Sequence, residues 1–91
     1  MSEFEELVKI ITKKGKVCLA KNTKYYKLSL SKQRFLVYDT SVGLMALWKG
    51  TGLYSFKDGF DGEIIQFIGF EDCIDCELGV LLELLKQLKL R

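Results

Sequence analysis

The chain is 91 residues long, 48 % hydrophobic and 29 % charged, which excludes the low-hydropathy composition of disorder and suits one domain around one core. No apolar run approaches the ~18 residues of a membrane span, the acidic opening MSEFEE is unlike a secretory leader, and three cysteines are an odd set for a secreted disulfide framework. A soluble, cytoplasmic protein with reduced thiols and no membrane partner is expected. The formal net charge of +2 conceals an asymmetry: residues 1–60 carry eleven Lys/Arg against five acids, residues 61–91 three against seven.

Ser2 and Glu5 form an S-x-x-E capping box, so a helix is expected from about residue 3. Phe4, Leu7, Val8 and Ile11 share one of its faces. Lys13 and Lys14 suit its negative end, and Gly15 can supply a left-handed stop. From Lys16 to Gly69 the pattern changes to short runs rich in β-branched and aromatic residues. KVCLA, KYYKLSL, RFLVYD, LMALWK, GLYSFK and EIIQFIGF read as strand candidates with short connectors. Short connectors make consecutive strands antiparallel neighbours in a meander of about five. In SVGLMALWKG, Ser41 and Gly50 would equally suit a helix of two turns. Leu44, Ala46 and Trp48 alternate with Met45 and Leu47, so this segment is apolar on both faces and is expected in the core.

From about Cys73 to Leu90 the spacing predicts a second helix, with Leu78, Leu81, Leu82, Leu85 and Leu88 along one side and Val80 and Leu84 widening the stripe. The apolar arc spans about 200°, more than the stripe somewhat beyond 100° that one sheet needs. The surplus face is expected to meet either the first helix or a second copy of the chain; a homodimer packed through this helix is the preferred form, with Gly79, Val80, Leu84 and Leu88 at its interface. Gly79 costs about 1 kcal/mol inside a helix. Either the helix starts later, or two backbones approach closely there. The architecture expected is thus α+β: a single domain over residues 1–91, an antiparallel meander flanked by an N-terminal and a C-terminal helix.

Three sequence features carry chemistry. The first is Cys73-x-x-Cys76, which follows a strand and precedes a helix, as a redox pair does. Glu71, Asp72, Asp75 and Glu77 surround it and disfavour thiolate. Those acids instead suit a helix amino terminus with Asp72 as N-cap and Asp75 at N3, leaving the cysteines as small apolar residues. Cys18 offers a third sulfur for zinc or a disulfide partner, but the chain has no histidine, so no metal or other cofactor is expected.

The second feature is the basic segment. Between Leu7 and Tyr38 there are nine Lys/Arg and no acid. Clustered cations neutralise phosphates, and exposed aromatics stack on bases. A nucleic-acid interface is therefore expected at Lys13, Lys14, Lys16, Lys21, Lys24, Tyr26, Lys27, Lys32 and Arg34. The competing reading makes these lysines solvated guards of sheet edges and the tyrosines core. The third is DGFDGE, whose acids are close together but whose D-G steps signal turns and whose spacing is not that of an EF-hand.

No G-x-S-x-G or P-loop accompanies the missing histidine, so a non-enzymatic binding module is expected. Its alternative form is a protein-interaction or scaffold module using the apolar face of the last helix. The order helix, sheet, helix, closing on LGVLLELLKQL, resembles over its two ends the small dimeric scaffold modules of the roadblock type. That resemblance implies an architecture and not a function.

Overall fold

The computed structural model describes residues 2–73 and 76–90. In chain order these form helix α1 (Glu3–Lys14), strands β1 (Lys16–Leu19), β2 (Lys24–Ser31), β3 (Arg34–Asp39), β4 (Leu44–Lys49), β5 (Tyr54–Ser55), β6 (Gly59–Phe60) and β7 (Glu63–Gly69), a 3-10 turn at Glu71–Cys73 and helix α2 (Leu78–Lys89). The fold is the expected α+β arrangement. Strands β1, β2, β3, β4 and β7 pair in that order as an antiparallel meander, and β5 and β6 form a separate small hairpin. Residues 44–49 are strand, not helix, because each has a cross-strand partner in β3.

Helix α1 starts where its cap places it: the Ser2 hydroxyl accepts the Glu5 N–H at 3.2 Å. Its end differs from expectation, since Gly15 is extended (φ −78°, ψ 164°) rather than left-handed. Glycine is needed there for space. A side chain would collide with the Ile11 carbonyl and lie 3.0 Å from the Lys27 carbonyl, so the helix end can lie against β2 only without a Cβ.

Both helices cover the same face of the sheet. Leu28, Leu36, Met45, Leu47 and Ile68 project from that face into one cluster with Phe4, Leu7 and Ile11 of α1 and Leu81, Leu84, Leu85 and Leu88 of α2. Because side chains alternate along a strand, Phe35, Val37, Ala46 and Trp48 point to the opposite face, paired Phe35 with Trp48 and Val37 with Ala46. Among the described residues no helix covers them. The segment between β4 and β7 does so instead, which is why GLYSFK yields only the two residues of β5 rather than a strand of the main sheet. Phe60 of β6 sits 5.5 Å from the Tyr25 ring, 5.9 Å from Phe35 and 5.7 Å from Trp48.

The hairpin leaves and rejoins the sheet through a neck at Gly50 and Gly62, with φ of 151° and 149°. A Cβ on Gly50 would lie 2.5 Å from the Asp61 carbonyl and from Gly62 Cα, so both backbones pass where no side chain fits. Two tethers hold the hairpin down: the Lys27 ammonium donates to the Gly52 carbonyl at 2.8 Å, and the Tyr54 hydroxyl to the Leu19 carbonyl at 2.9 Å.

Helix α2 begins at Leu78, later than the leucine spacing predicts. Cys73 has φ 56°, a left-handed conformation that a right-handed helix cannot run through. The Glu77 N–H is bonded to the Ile68 carbonyl at 2.9 Å, which holds this segment to the end of β7. Asp72 therefore lies in the 3-10 turn and is not the N-cap; that position belongs to Glu77, whose side chain makes no capping bond. Asp75, expected at N3, lies outside the described residues. The later start answers the question of Gly79, which falls in the first turn, where an added Cβ would meet nothing within 4 Å.

Leu36 on the central strand β3 is fully buried. Leu36→Ala should lower the unfolding free energy by about 2–5 kcal/mol, read from urea denaturation followed by far-UV circular dichroism. A loss below about 1 kcal/mol would show that the two-helix layer does not pack on this strand as described.

Candidate interaction surfaces

The nine basic-interface residues are distributed over both faces and both ends of the sheet. Lys21 and Lys24 lie at the β1–β2 turn, whereas Lys32 and Arg34 lie at the opposite end, at the β2–β3 turn. Lys16 and Lys27 are cross-strand partners on the face away from the helices, and Lys27 is tethered to Gly52 and sits 5.9 Å above the Phe35 ring. Lys24 lies 5.4 Å over the Tyr26 ring. Tyr26 packs half-buried against the helix-side core, so its ring is partly spent there. Lys13, Lys14 and Lys16 follow one another across the junction of α1 and β1, beside the β1 edge. Among the described residues none of the nine forms an ion pair; the pair present is Lys89 with Glu6.

The four residues expected at a helix-mediated dimer interface also divide. Leu84 and Leu88 are 5 % and 2 % exposed and belong to this chain's own core. Gly79 and Val80 remain at the surface, on a groove of about 590 Å³ that also involves Leu30, Leu47, Arg34 and Glu83. The excess of the leucine stripe is carried by Leu78 and Leu82, which are about half exposed.

The apolar surface that sequence reasoning missed is on β7. This strand is one edge of the sheet: β4 pairs with it on one side, and among the described residues no strand pairs with it on the other, where only the Ile68 carbonyl near its end is taken, by the Glu77 N–H. Ile64 and Ile65 are each 42 % exposed and Phe67 54 %. The two edges are built differently. β1 is four residues long and is flanked by Lys13, Lys14 and Lys21, whereas β7 has seven residues, one charge at its start (Glu63) and no lysine. Short, lysine-flanked edges resist pairing with another chain. β7 lacks both devices; two register irregularities against β4 and the Glu77 bond to the Ile68 carbonyl oppose such pairing.

The cysteines are placed apart. Cys18 is buried in β1, while Cys73 and Cys76 follow β7 at the far edge. Four inter-strand steps of about 4.8 Å separate those edges, roughly 19 Å, well beyond the Cα separation a disulfide spans. Cys18 therefore neither bridges to the pair nor completes a metal site with it. Within the pair, burial first, then the Cys73 thiol and the Glu3 carboxylate, push the Cys76 thiol up to about 12. A thiol held that high is protonated at neutral pH and is a poor nucleophile.

Compared with models of protein families, with curated proteins and with solved structures, the chain matches none. Among the described residues no helix is long and apolar enough to cross a membrane.

In native protein at pH 7, Cys76 should react with iodoacetamide much more slowly than a free cysteine, and by mass spectrometry its labelling should rise only on unfolding. Because the folded pKa lies above the ordinary value, the thiol favours folding below the unfolded pKa, and that preference is lost as pH rises toward about 12. Rapid labelling of Cys76 at neutral pH in the folded state would contradict the assignment.

Proposed function

We propose that the protein is a non-enzymatic binding module that works as a homodimer, joined through the β7 edge of each copy. The supporting observation is the contrast between the two edges: β1 is short and flanked by lysines, β7 is long, nearly uncharged and lined by exposed Ile64, Ile65 and Phe67. Antiparallel pairing of β7 with its own copy about Gln66 is self-complementary. It sets Ile65 of one copy opposite Phe67 of the other and keeps the two Glu63 carboxylates at opposite ends of the seam, so no like charges meet. The edge N–H and C=O groups other than the Ile68 carbonyl, which the Glu77 N–H already holds, gain partners, and the two sheets become one of ten strands. Each exposed Ile or Phe that is fully covered contributes roughly 1.5–3 kcal/mol of burial, reduced here because all three are already half covered.

Sedimentation equilibrium should find a dimer at micromolar concentrations, and Ile65→Lys should return a folded monomer, since the site is exposed in the isolated chain. A wild-type chain that stays monomeric, or an Ile65→Lys variant that still dimerises, would remove the β7 seam.

A second reading, nucleic-acid binding at residues 13–34, is favoured by the absence of ion-pair partners for its eight cations among the described residues. Phosphate contacts release counterions, so a mixed-sequence single strand should bind at low salt and weaken steeply as salt rises. Binding that is absent at low salt, or indifferent to salt, removes that reading.

A further inference from the structure

The hairpin that covers the back of the sheet does not fill it. Between hairpin and sheet a cleft of about 340 Å³ stays open, walled by Tyr25 and Trp48 from the sheet and by Tyr54, Phe56 and Phe60 from the hairpin, with Asp58 on its lining. Four of these rings form a connected cluster around Phe60, which lies 4.7 Å from Tyr54, 5.5 Å from Tyr25 and 5.7 Å from Trp48. Phe56 stands apart from that cluster, is 70 % exposed and lines the cleft.

The charges around the cleft decide what it suits. Three carboxylates lie in this region, and two are engaged. Asp39 accepts from the Thr23 hydroxyl at 2.9 Å and from the Ser41 hydroxyl and N–H at 2.6 and 2.9 Å. Asp61 accepts from the Thr51 hydroxyl at 2.5 Å. The Asp58 backbone N–H donates to Ser55, but its carboxylate has no hydrogen-bond or ion-pair partner among the described residues. It is also the one formally charged group among the residues lining the cleft. Aromatic faces carry negative potential and attract cations, while a phosphate or carboxylate brought to the same place would meet both the ring faces and Asp58.

We infer that this cleft is a binding site for an alkylammonium group, held between the Trp48, Tyr54 and Phe56 rings with Asp58 as its counter-charge. The site is independent of the β7 seam, and either can fail without the other. A lysine side chain of a peptide, methylated or not, and a free small amine share this chemistry. Their difference lies in what surrounds the ammonium, and two probes separate them.

Trp48 is the only tryptophan and lies on the cleft, so its fluorescence reports occupancy directly. The full chain is titrated with choline, with its neutral isostere 3,3-dimethylbutan-1-ol, and with a short peptide carrying trimethyl-lysine, sodium chloride matching the ionic strength throughout. Choline or the peptide should give a saturable change, with the isostere about tenfold weaker or more. Tighter binding of the peptide than of choline assigns the site to a protein-borne lysine, and the reverse order to a free amine. Asp58→Asn should weaken the cation about threefold or more and leave the isostere unchanged. Phe56→Ala, at an exposed position that leaves the fold intact, should weaken cation binding similarly. Absence of saturation with both cations, equal binding of cation and isostere, or full affinity in Asp58→Asn would each overturn the assignment.

Discussion

The constraint on which the rest of the structure depends is a mismatch between the sheet and the helices available to cover it. Strands β3 and β4 are apolar on both faces, with Leu36, Met45 and Leu47 on one side and Phe35, Val37 and Ala46 on the other, all buried. A sheet that is apolar on both sides needs a layer above and a layer below. The chain supplies two helices, and both lie on the same side. Burying the second face then falls to the thirteen residues between β4 and β7, which form the β5–β6 hairpin.

From that shortage follow the features of the back face. The connection is folded into a hairpin, passes a glycine neck at Gly50 and Gly62, and is fastened by Lys27 and Tyr54 at its outer parts. One ring, Phe60, lies within 5.9 Å of Tyr25, Phe35, Trp48 and Tyr54, and a cleft stays open beside these rings. The hairpin reaches over β2, β3 and β4 but leaves the outer strand bare, so Ile64, Ile65 and Phe67 stay in contact with water. The aromatic cleft and the apolar edge are thus two consequences of the same incomplete layer.

Much of the fold was legible along the chain, for local reasons. The Ser2 cap, the lysines at the end of α1 and the short connectors act within a few residues of one another, and the helix, the meander and its strand sequence lie where these signals place them. The segment GLYSFK misled because its composition suits a strand, while its length and the glycines on either side suit a folded-over hairpin; only the direct pairing of Lys49 with Glu63 decides between the two. The start of α2 misled for a different reason. Leucine spacing shows which residues can share a face, but not that Cys73 adopts a left-handed conformation or that the Glu77 N–H is taken by Ile68.

What the sequence determined by itself was the class of fold, the positions of most elements and the separation of charge along the chain, because periodicity, capping and turn chemistry are short-range. What only the tertiary structure decided was which surfaces are left over. Leu84 and Leu88 look no different in sequence from Leu78 and Leu82, yet the first two are buried and the second two exposed. The eight cations of residues 13–34 look contiguous in sequence and are divided between two faces and two ends of the sheet. A residue's availability for binding depends on what the rest of the chain does with the space beside it, and here that was set by two helices choosing the same side.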